Sequence, residues 1–397
     1  MSRTVTLTEY KPREMGHDAL RRSDADALWE RYQSRIGIES PGPSNGWRWR
    51  LLPQGWIGYF PVTDELTLIV EPKVPLRSVF GMWEWAYDLR QFKVLEGQYQ
   101  AQSLEEFYSQ LARILAQRVL DRGRAGLARE YVGYDEPMSY VRGRLDLPAQ
   151  IRQPWSTHPR CHYHEHTADV PDNQLLAWTL SIILRGAACD ERVRPIARKT
   201  FMLLRHAVDL RSFAARESVG RRYTRLTQDY SPMHALCRFF LEHSGPSHSA
   251  GERAMLPFIV GTADLFELFV AKWLAAHLPA PYLLRAQENV NILPSGEIRY
   301  LIDLVIEERL TGRVLAVLDT KYKDVVLPSN PDINQVVAYA EATGCARAGL
   351  VYPGNGAMPY PFSVGRIRVT PLVFDLSGDL EAGGQAFLGQ LMAMLRA

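Results

Sequence analysis

No Gly-Lys dipeptide occurs anywhere in the 397 residues. The chain therefore has no G-x-x-x-x-G-K-[ST] phosphate loop, and any nucleotide-driven movement must come from another protein. Cysteine is scarce: Cys161, Cys189, Cys237 and Cys345 lie far apart and make no C-x-x-C pair. That argues against a disulfide framework and fits a reducing compartment. Net charge is only +2, so no overall basic field points to nucleic acid, and any polyanion site must be local. Long apolar runs are missing too. The best, Leu175 to Leu184, is too short to span a bilayer and contains Trp178 and Thr179. The opening "MSRTVTLTEYKPRE" has no apolar core, so no signal peptide is expected, and the expected location is cytoplasmic, away from membranes.

What remains has the balance of a soluble globular protein of two or three domains, with 46% apolar and 23% charged residues. Residues 1–45 are polar and end in the loop-like "ESPGPSNG". Strand-like pieces follow, "WRWRLL", "GWIGYF" and "LTLIVEPKV", separated by Gly, Pro and Asp-Glu. Leu104, Phe107, Tyr108, Leu111, Leu115 and Val119 recur at helical spacing, with Gly123 and Gly126 marking the end. "YVRGRLDL" (140–147) reads as a strand, and 172–188 as a buried helix with an Asp or Asn cap. Residues 191–243 read as helical and arginine-rich, and "SGPSHSAGER" (244–253) as a linker. The last third reads helix (262–278), hairpin, helix (331–343), then strands at 348–353 and 366–376.

The hairpin "LIDLVIEERLTGRVLAVLDTKYK" (301–323) carries charges inside apolar runs. Burying a charge without a partner is expensive. Asp303 and Asp319 lie eight residues either side of Thr311, so an odd loop without a bulge would set them face to face. Opposed side chains then have Cβ atoms roughly 4.5–5.5 Å apart. Lys321, two residues past Asp319, shares its face. Two bare carboxylates that close repel; a divalent cation reverses the sign, and such oxygens suit Mg²⁺. A lysine beside the ion can orient an attacking water or offset phosphate charge. A second reading stays open at this point: a structural Asp319–Lys321 ion pair, with Asp303 a strand-end carboxylate.

The neighbours add to the pattern. Gln335 and Tyr339 are four apart and share a helix face. Glu267 sits within the apolar "LFELFV" helix. The order Glu267, I-D with Asp303, D-T-K with Asp319 and Lys321, then Q-x-x-x-Y resembles the PD-(D/E)xK nucleases, with Ile302 in the place of the proline. Upstream, "GWIGYF…LTLIVEPKV", "GLAREYVGYDEPMSYVRGRLDL" and "CHYHEHTADVPDNQLL" resemble segments of the McrC family. Together the likeness runs from about residue 50 to 375. The sequence departs from the family pattern in a longer, more polar start (1–45) and in "GTADLFELFV", which has no methionine ahead of Phe-Glu.

The resemblance implies an α+β multidomain chain. Its parts would be an N-terminal β-rich partner-docking domain (1–100), a mainly helical middle (101–245) and a C-terminal α/β PD-(D/E)xK nuclease domain with a mixed central sheet (246–397). It implies a DNA endonuclease subunit of a modified-cytosine-dependent restriction system. The partner would be an McrB-like hexameric AAA+ GTPase, which binds the GTP, and the substrate double-stranded DNA carrying modified cytosine. Asp303 and Asp319 would hold Mg²⁺ or Mn²⁺, with Glu267 as a further ligand or water-mediated contact. Lys321 would position the water, and Gln335 and Tyr339 the lysine or the DNA backbone. Two rival functions are a non-catalytic adaptor that binds and stimulates the GTPase, and a stand-alone nuclease.

Three further signals have two readings each. His162, His164 and His166, beside Cys161 and Glu165, form a weak zinc pattern or a plain strand. "WRWR" (47–50) is either a base-stacking element or a two-faced strand with Trp in the core. The ten Lys or Arg against three acids in 191–225 make either a phosphate track or a solvated face.

Overall fold

Leu66, Leu68 and Val70 are buried while Thr67 and Ile69 between them are only half-buried, the period-two signature of a strand covered mainly on one side. This segment is β6 (Leu66–Glu71), and it organises the first sheet. The computed structural model describes residues 3–89, 103–186, 190–243, 258–291, 299–323, 327–354 and 360–396. The expected linker at 244–253 and Cys189 lie outside the described residues.

The chain divides into two units, residues 1–104 with 257–397, and residues 105–256. The stretches 1–100 and 246–397 fall mainly in the first unit, and 101–245 mainly in the second.

In the first unit, β1 (Arg3–Thr8), β6, β5 (Trp56–Thr63) and β10 (Phe258–Gly261) make a four-stranded sheet in that order. β10 comes from the far end of the sequence and pairs antiparallel with β5, Ile259 opposite Gly58. Gly58 has φ 124°, and a Cβ there would lie 2.0 Å from Phe258 O, so glycine is what lets the two backbones meet. A small sheet of β2 (Arg13–Met15), β4 (Trp49–Pro53) and β3 (Ile36–Glu39) accompanies it, with α1 (Arg22–Tyr32) packed on β5 through Tyr32 and Phe60, ring centroids 5.2 Å apart. The polar start of the chain is thus folded, with three strands and a helix before the loop-like stretch it ends in. "WRWR" splits: Trp49 is buried in β4, whereas Trp47 precedes it and is 66% exposed. α2 (Leu76–Ala86) follows, and Ser78 Oγ donates to Leu376 O at 2.6 Å.

The second sheet of this unit has the order β11 (Tyr282–Asn291), β12 (Arg299–Glu308), β13 (Val314–Thr320), β14 (Arg347–Pro353), β16 (Ile367–Phe374), β15 (Phe362–Val364). It is mixed: β13–β14 and β14–β16 run parallel, the other pairs antiparallel. α8 (Thr262–His277) and α9 (Asn330–Thr343) pack on it, and α10 (Leu380–Arg396) closes the chain. The last helix is hidden in the sequence by its glycines. A Cβ at Gly384 would lie 2.3 Å from the Trp273 ring, so glycine there is a packing requirement rather than a helix breaker.

In the second unit α3 (Leu104–Ala125), α5 (Pro171–Arg185), α6 (Arg194–Arg205) and α7 (Tyr230–His243) form the helical part. α5 starts after Val170 with Pro171 in its first turn, not with an Asp or Asn cap. Asn173 is spent inside: its Nδ2 donates to Ala128 O and Ala168 O (2.8 and 2.7 Å), and its Oδ1 accepts from Tyr230 OH (2.6 Å). Residues 191–243 are not continuously helical. Between α6 and α7 the chain is irregular apart from one short 3-10 turn, because Phe213 is buried and its carbonyl accepts from Trp178 Nε1 at 3.1 Å. Tertiary contact overrides the local preference there.

β7 (Glu130–Pro137), β9 (Arg160–Thr167) and β8 (Arg144–Leu145) form a three-stranded sheet, with α4 (Leu147–Arg152) after β8. Of the strand expected at 140–147, only two residues pair. On β9 the three histidines are exposed on one face while Cys161 is buried on the other, so they form no metal cluster with it. Among the described residues no three His, Cys, Asp or Glu side chains are gathered closely enough to hold a metal. Among the same residues no helix is long and apolar enough to cross a membrane.

Candidate active site

The hairpin β12–β13 is not the odd, unbulged one that sequence symmetry suggests. Glu307 pairs with Val314, then the register shifts, and Ile306, Val305 and Leu304 pair with Ala316, Val317 and Leu318. An even turn plus one bulge gives the same result as an odd turn: the next step of this register sets Asp303 opposite Asp319. One step further in, Val305 and Val317 belong to the core cluster shared with Val336 and Tyr339 of α9. Period two puts both aspartates on that same side.

Asp319 is almost fully buried, 1% exposed. Lys321 Nζ lies 2.8 Å from its Oδ2, a close charge-assisted contact with that buried oxygen. Burial pushes the Asp319 carboxyl up to about 6, against the pull of Lys321 and with the charge of Asp303 adding to the rise. Lys321 is raised in turn: burial opposes its charge, and the Asp319 carboxylate outweighs that.

Asp303 is held across the hairpin. Its Oδ2 accepts from both the backbone N (2.8 Å) and the hydroxyl (2.9 Å) of Thr320. Lys321 Nζ also donates to Gln335 Oε1 at 2.8 Å, and Gln335 Nε2 donates to Tyr339 OH at 2.7 Å. Asp319, Lys321, Gln335 and Tyr339 thus form one chain of contacts from the sheet to α9. Lys323 points elsewhere, pairing with Asp332, whose Oδ2 accepts from Ser329 Oγ (2.6 Å) and fixes the first turn of α9.

Glu267 stands beside this chain. It lies on α8, and its Oε1 accepts from Gln287 Nε2 at 3.3 Å. Burial raises its carboxyl to about 7, with the negative charge of Asp303 next in weight. Gln287 falls between the Ala286–Leu304 and Glu288–Ile302 pairs, so the register sets it opposite Asp303 on the other side of β12. Its φ is 52°, a left-handed backbone that a side-chain-bearing residue adopts at a cost. Thr320 and Gln287 are site residues that the spacing of charges does not reveal. The only local signal was that Thr320 lies inside the D-T-K triplet.

The residues present fit a hard divalent ion held by two carboxylates. The buried Asp319 carboxylate, paired with Lys321 at 2.8 Å, lies next to Thr320, which binds the Asp303 carboxylate across the hairpin, and Mg²⁺ takes one or two protein carboxylates and keeps waters. They do not offer a three-carboxylate cage, since Glu267 is not gathered with the aspartates among the described residues.

A mixed α/β chain carrying a carboxylate–lysine hairpin centre is the class that fold and site define. Residues 51–353 match the family described as "McrBC 5-methylcytosine restriction system component", more than half of the chain, and the protein belongs to that family. The fold is also that of a chain in the refined half-complex from the tetradecameric assembly of Thermococcus gammatolerans McrB AAA+ hexamers with bound McrC. That likeness has a TM-score of 0.58 at 18% identity and covers 98% of this chain and 100% of the other. A chain of the Thermococcus gammatolerans McrBC complex gives a TM-score of 0.45 at 18% identity, covering 70% and 88%. No curated protein sequence matches the chain.

Proposed function

We propose that the chain is the DNA-cutting subunit of a GTP-dependent restriction complex that acts on DNA carrying modified cytosine. The C-terminal sheet would be a PD-(D/E)xK nuclease core, with Asp303 and Asp319 holding Mg²⁺ or Mn²⁺. The observation that carries this reading is the pair of hydrogen bonds that ties Asp303 across the hairpin to Thr320, the neighbour of Asp319, with Lys321 at 2.8 Å from Asp319. When bound, the ion supplies Lewis-acid stabilisation of the phosphate and a lowered pKa for its water.

The protein's own groups do the rest. Asp303 is fixed by Thr320, so its free oxygen is aimed by two hydrogen bonds. Gln335, itself bonded to Tyr339, holds the Lys321 ammonium where an attacking water and a phosphate oxygen would meet. Such preorganised charge acts at no reorganisation cost during the reaction. Glu267 orients a water of the same site and, with a carboxyl at about 7, can take up a proton near neutral pH. A partner AAA+ GTPase like the McrB hexamers of the Thermococcus complex would supply the nucleotide-driven movement that this chain, lacking a phosphate loop, cannot.

The test is cleavage of a 5-methylcytosine-bearing duplex by the chain with its partner, GTP and Mg²⁺, comparing wild type with Asp319→Ala. The expected result is cutting by the wild type and none by the variant, with GTP hydrolysis stimulated by both. Stimulated GTP hydrolysis with uncut DNA in the wild type would instead make the chain a non-catalytic adaptor. Cutting without GTP or partner would make it a stand-alone nuclease.

A further inference from the structure

Glu9 is a buried carboxylate far in sequence from the candidate site, and none of the chemistry above uses it. It follows β1, where its backbone N donates to Glu71 O at 2.9 Å, and it is 0% exposed. Burying a carboxylate is costly unless its oxygens are hydrogen-bonded, and replacing such a group by an apolar one is often neutral or better. Its partners are therefore informative. Oε1 accepts from Thr262 Oγ1; Oε2 accepts from Lys73 N (3.3 Å) and Tyr322 OH (3.4 Å). Burial raises its carboxyl, opposed by these donors and by the Lys73 charge.

Two of the partners belong to segments that carry site residues. Thr262 is the first residue of α8, the helix that carries Glu267, and its backbone N is tied to Gly55 O at 3.0 Å. Tyr322 follows Lys321 directly, and its ring packs on Phe266, the neighbour of Glu267, with centroids 5.7 Å apart. Lys73 Nζ lies 4.6 Å from the centre of the Tyr322 ring and 5.0 Å from that of Tyr10. One carboxylate at the end of β1 thus fixes both the start of α8 and the residue after Lys321.

We propose that Glu9 is a positioning residue that sets the Glu267 helix and the Lys321 strand end relative to each other, and so couples the N-terminal sheet to the nuclease site. This rests on the nuclease reading above and adds the control of that site. A shift of β1 would reach Lys321 through Tyr322 and Glu267 through Thr262. On this proposal the N-terminal sheet would act on the site as well as in any docking role.

The experiment uses the full chain with its partner GTPase, GTP, Mg²⁺ and 5-methylcytosine-bearing duplex, and compares Glu9→Ala, Glu9→Gln, Tyr322→Phe and Asp319→Ala. Folding is followed by thermal melting, and Mn²⁺ binding to the chain alone by calorimetry. Displacing a reacting group by about an ångström costs up to roughly a hundredfold in rate. Glu9→Ala is expected to cut roughly tenfold to a hundredfold more slowly, to bind Mn²⁺ more weakly and to stimulate GTP hydrolysis normally. Glu9→Gln should recover part of the rate, since its amide oxygen still accepts from Thr262 and its NH₂ can donate to the Tyr322 oxygen, while the bond from Lys73 N is lost. A folded Glu9→Ala with wild-type cutting and Mn²⁺ affinity overturns the proposal. If Glu9→Ala does not fold, Tyr322→Phe carries the test: slower cutting supports it and wild-type cutting overturns it. Inactive Asp319→Ala beside fully active Glu9→Ala refutes only this inference, whereas active Asp319→Ala removes the nuclease reading beneath it.

Discussion

Asp303 Oδ2 accepts two hydrogen bonds from Thr320, one from the backbone N at 2.8 Å and one from the hydroxyl at 2.9 Å. The carboxylate of one hairpin strand is therefore pinned to the residue beside Asp319 on the other. That pin keeps two like charges together where repulsion would part them, which makes sense for a site built to take a cation.

Metal-free stability should fall as pH rises. The carboxyls of Asp319 and Glu267 are raised, to about 6 and about 7, from ordinary values near 4. The folded state then holds more protons than the unfolded chain between those limits, so stability drops with pH there. It is full below pH about 4 and is lost as the pH passes through about 6 for Asp319 and about 7 for Glu267. Melting without metal should show this fall, and Asp319→Asn should flatten it, since the asparagine does not titrate. Saturating Mg²⁺ should stabilise the wild type at pH 8 and not the variant, because binding to the folded state shifts the equilibrium by mass action.

Gln335→Ala should slow cutting without unfolding the chain. Gln335 is the link between Lys321 Nζ and Tyr339 OH, 2.8 and 2.7 Å from them. Losing a residue that orients a working group costs roughly tenfold to a hundredfold. Tyr339→Phe, which removes only the hydroxyl that steadies Gln335, should cost less. Single-turnover cleavage rates for the two variants check the order.

Gln287→Gly should separate stability from activity. The left-handed backbone at Gln287 (φ 52°) costs a side-chain-bearing residue about 1 kcal/mol, which glycine does not incur. Gly also removes the amide that donates to Glu267. The expected variant melts no lower than wild type and cuts roughly tenfold more slowly. A variant that melts lower and cuts as fast would contradict the role given to Gln287.

The charged residues of the centre were legible in the sequence because they break apolar runs. Asp303, Asp319 and Lys321 stand out in the hairpin, and Gln335 and Tyr339 repeat at helical spacing. What holds them was not legible. Thr320 is an ordinary strand residue, and Gln287 shows its importance only through a backbone angle. Glu9 acts through partners more than 250 residues away in sequence, Thr262 and Tyr322. The hairpin register was reached by a different route from the symmetric one, since a bulge replaces the odd turn.

The fold divided in the same way. Helices with clean apolar stripes, α3, α5 and α8, fell close to their sequence positions. α10 did not, because its glycines serve close packing. Nor did β10, a four-residue strand that completes the sheet of residues 3–71. A pairing partner 200 residues away leaves no local trace.

The most direct measurement is the anomalous signal of Mn²⁺ in crystals of the full chain. One Mn²⁺ touching both the Asp303 and Asp319 carboxylates, at about 2.0–2.3 Å from an oxygen of each, and absent from Asp319→Ala, is the predicted result. No ion there, or an ion bound elsewhere with the aspartates untouched, would contradict the account.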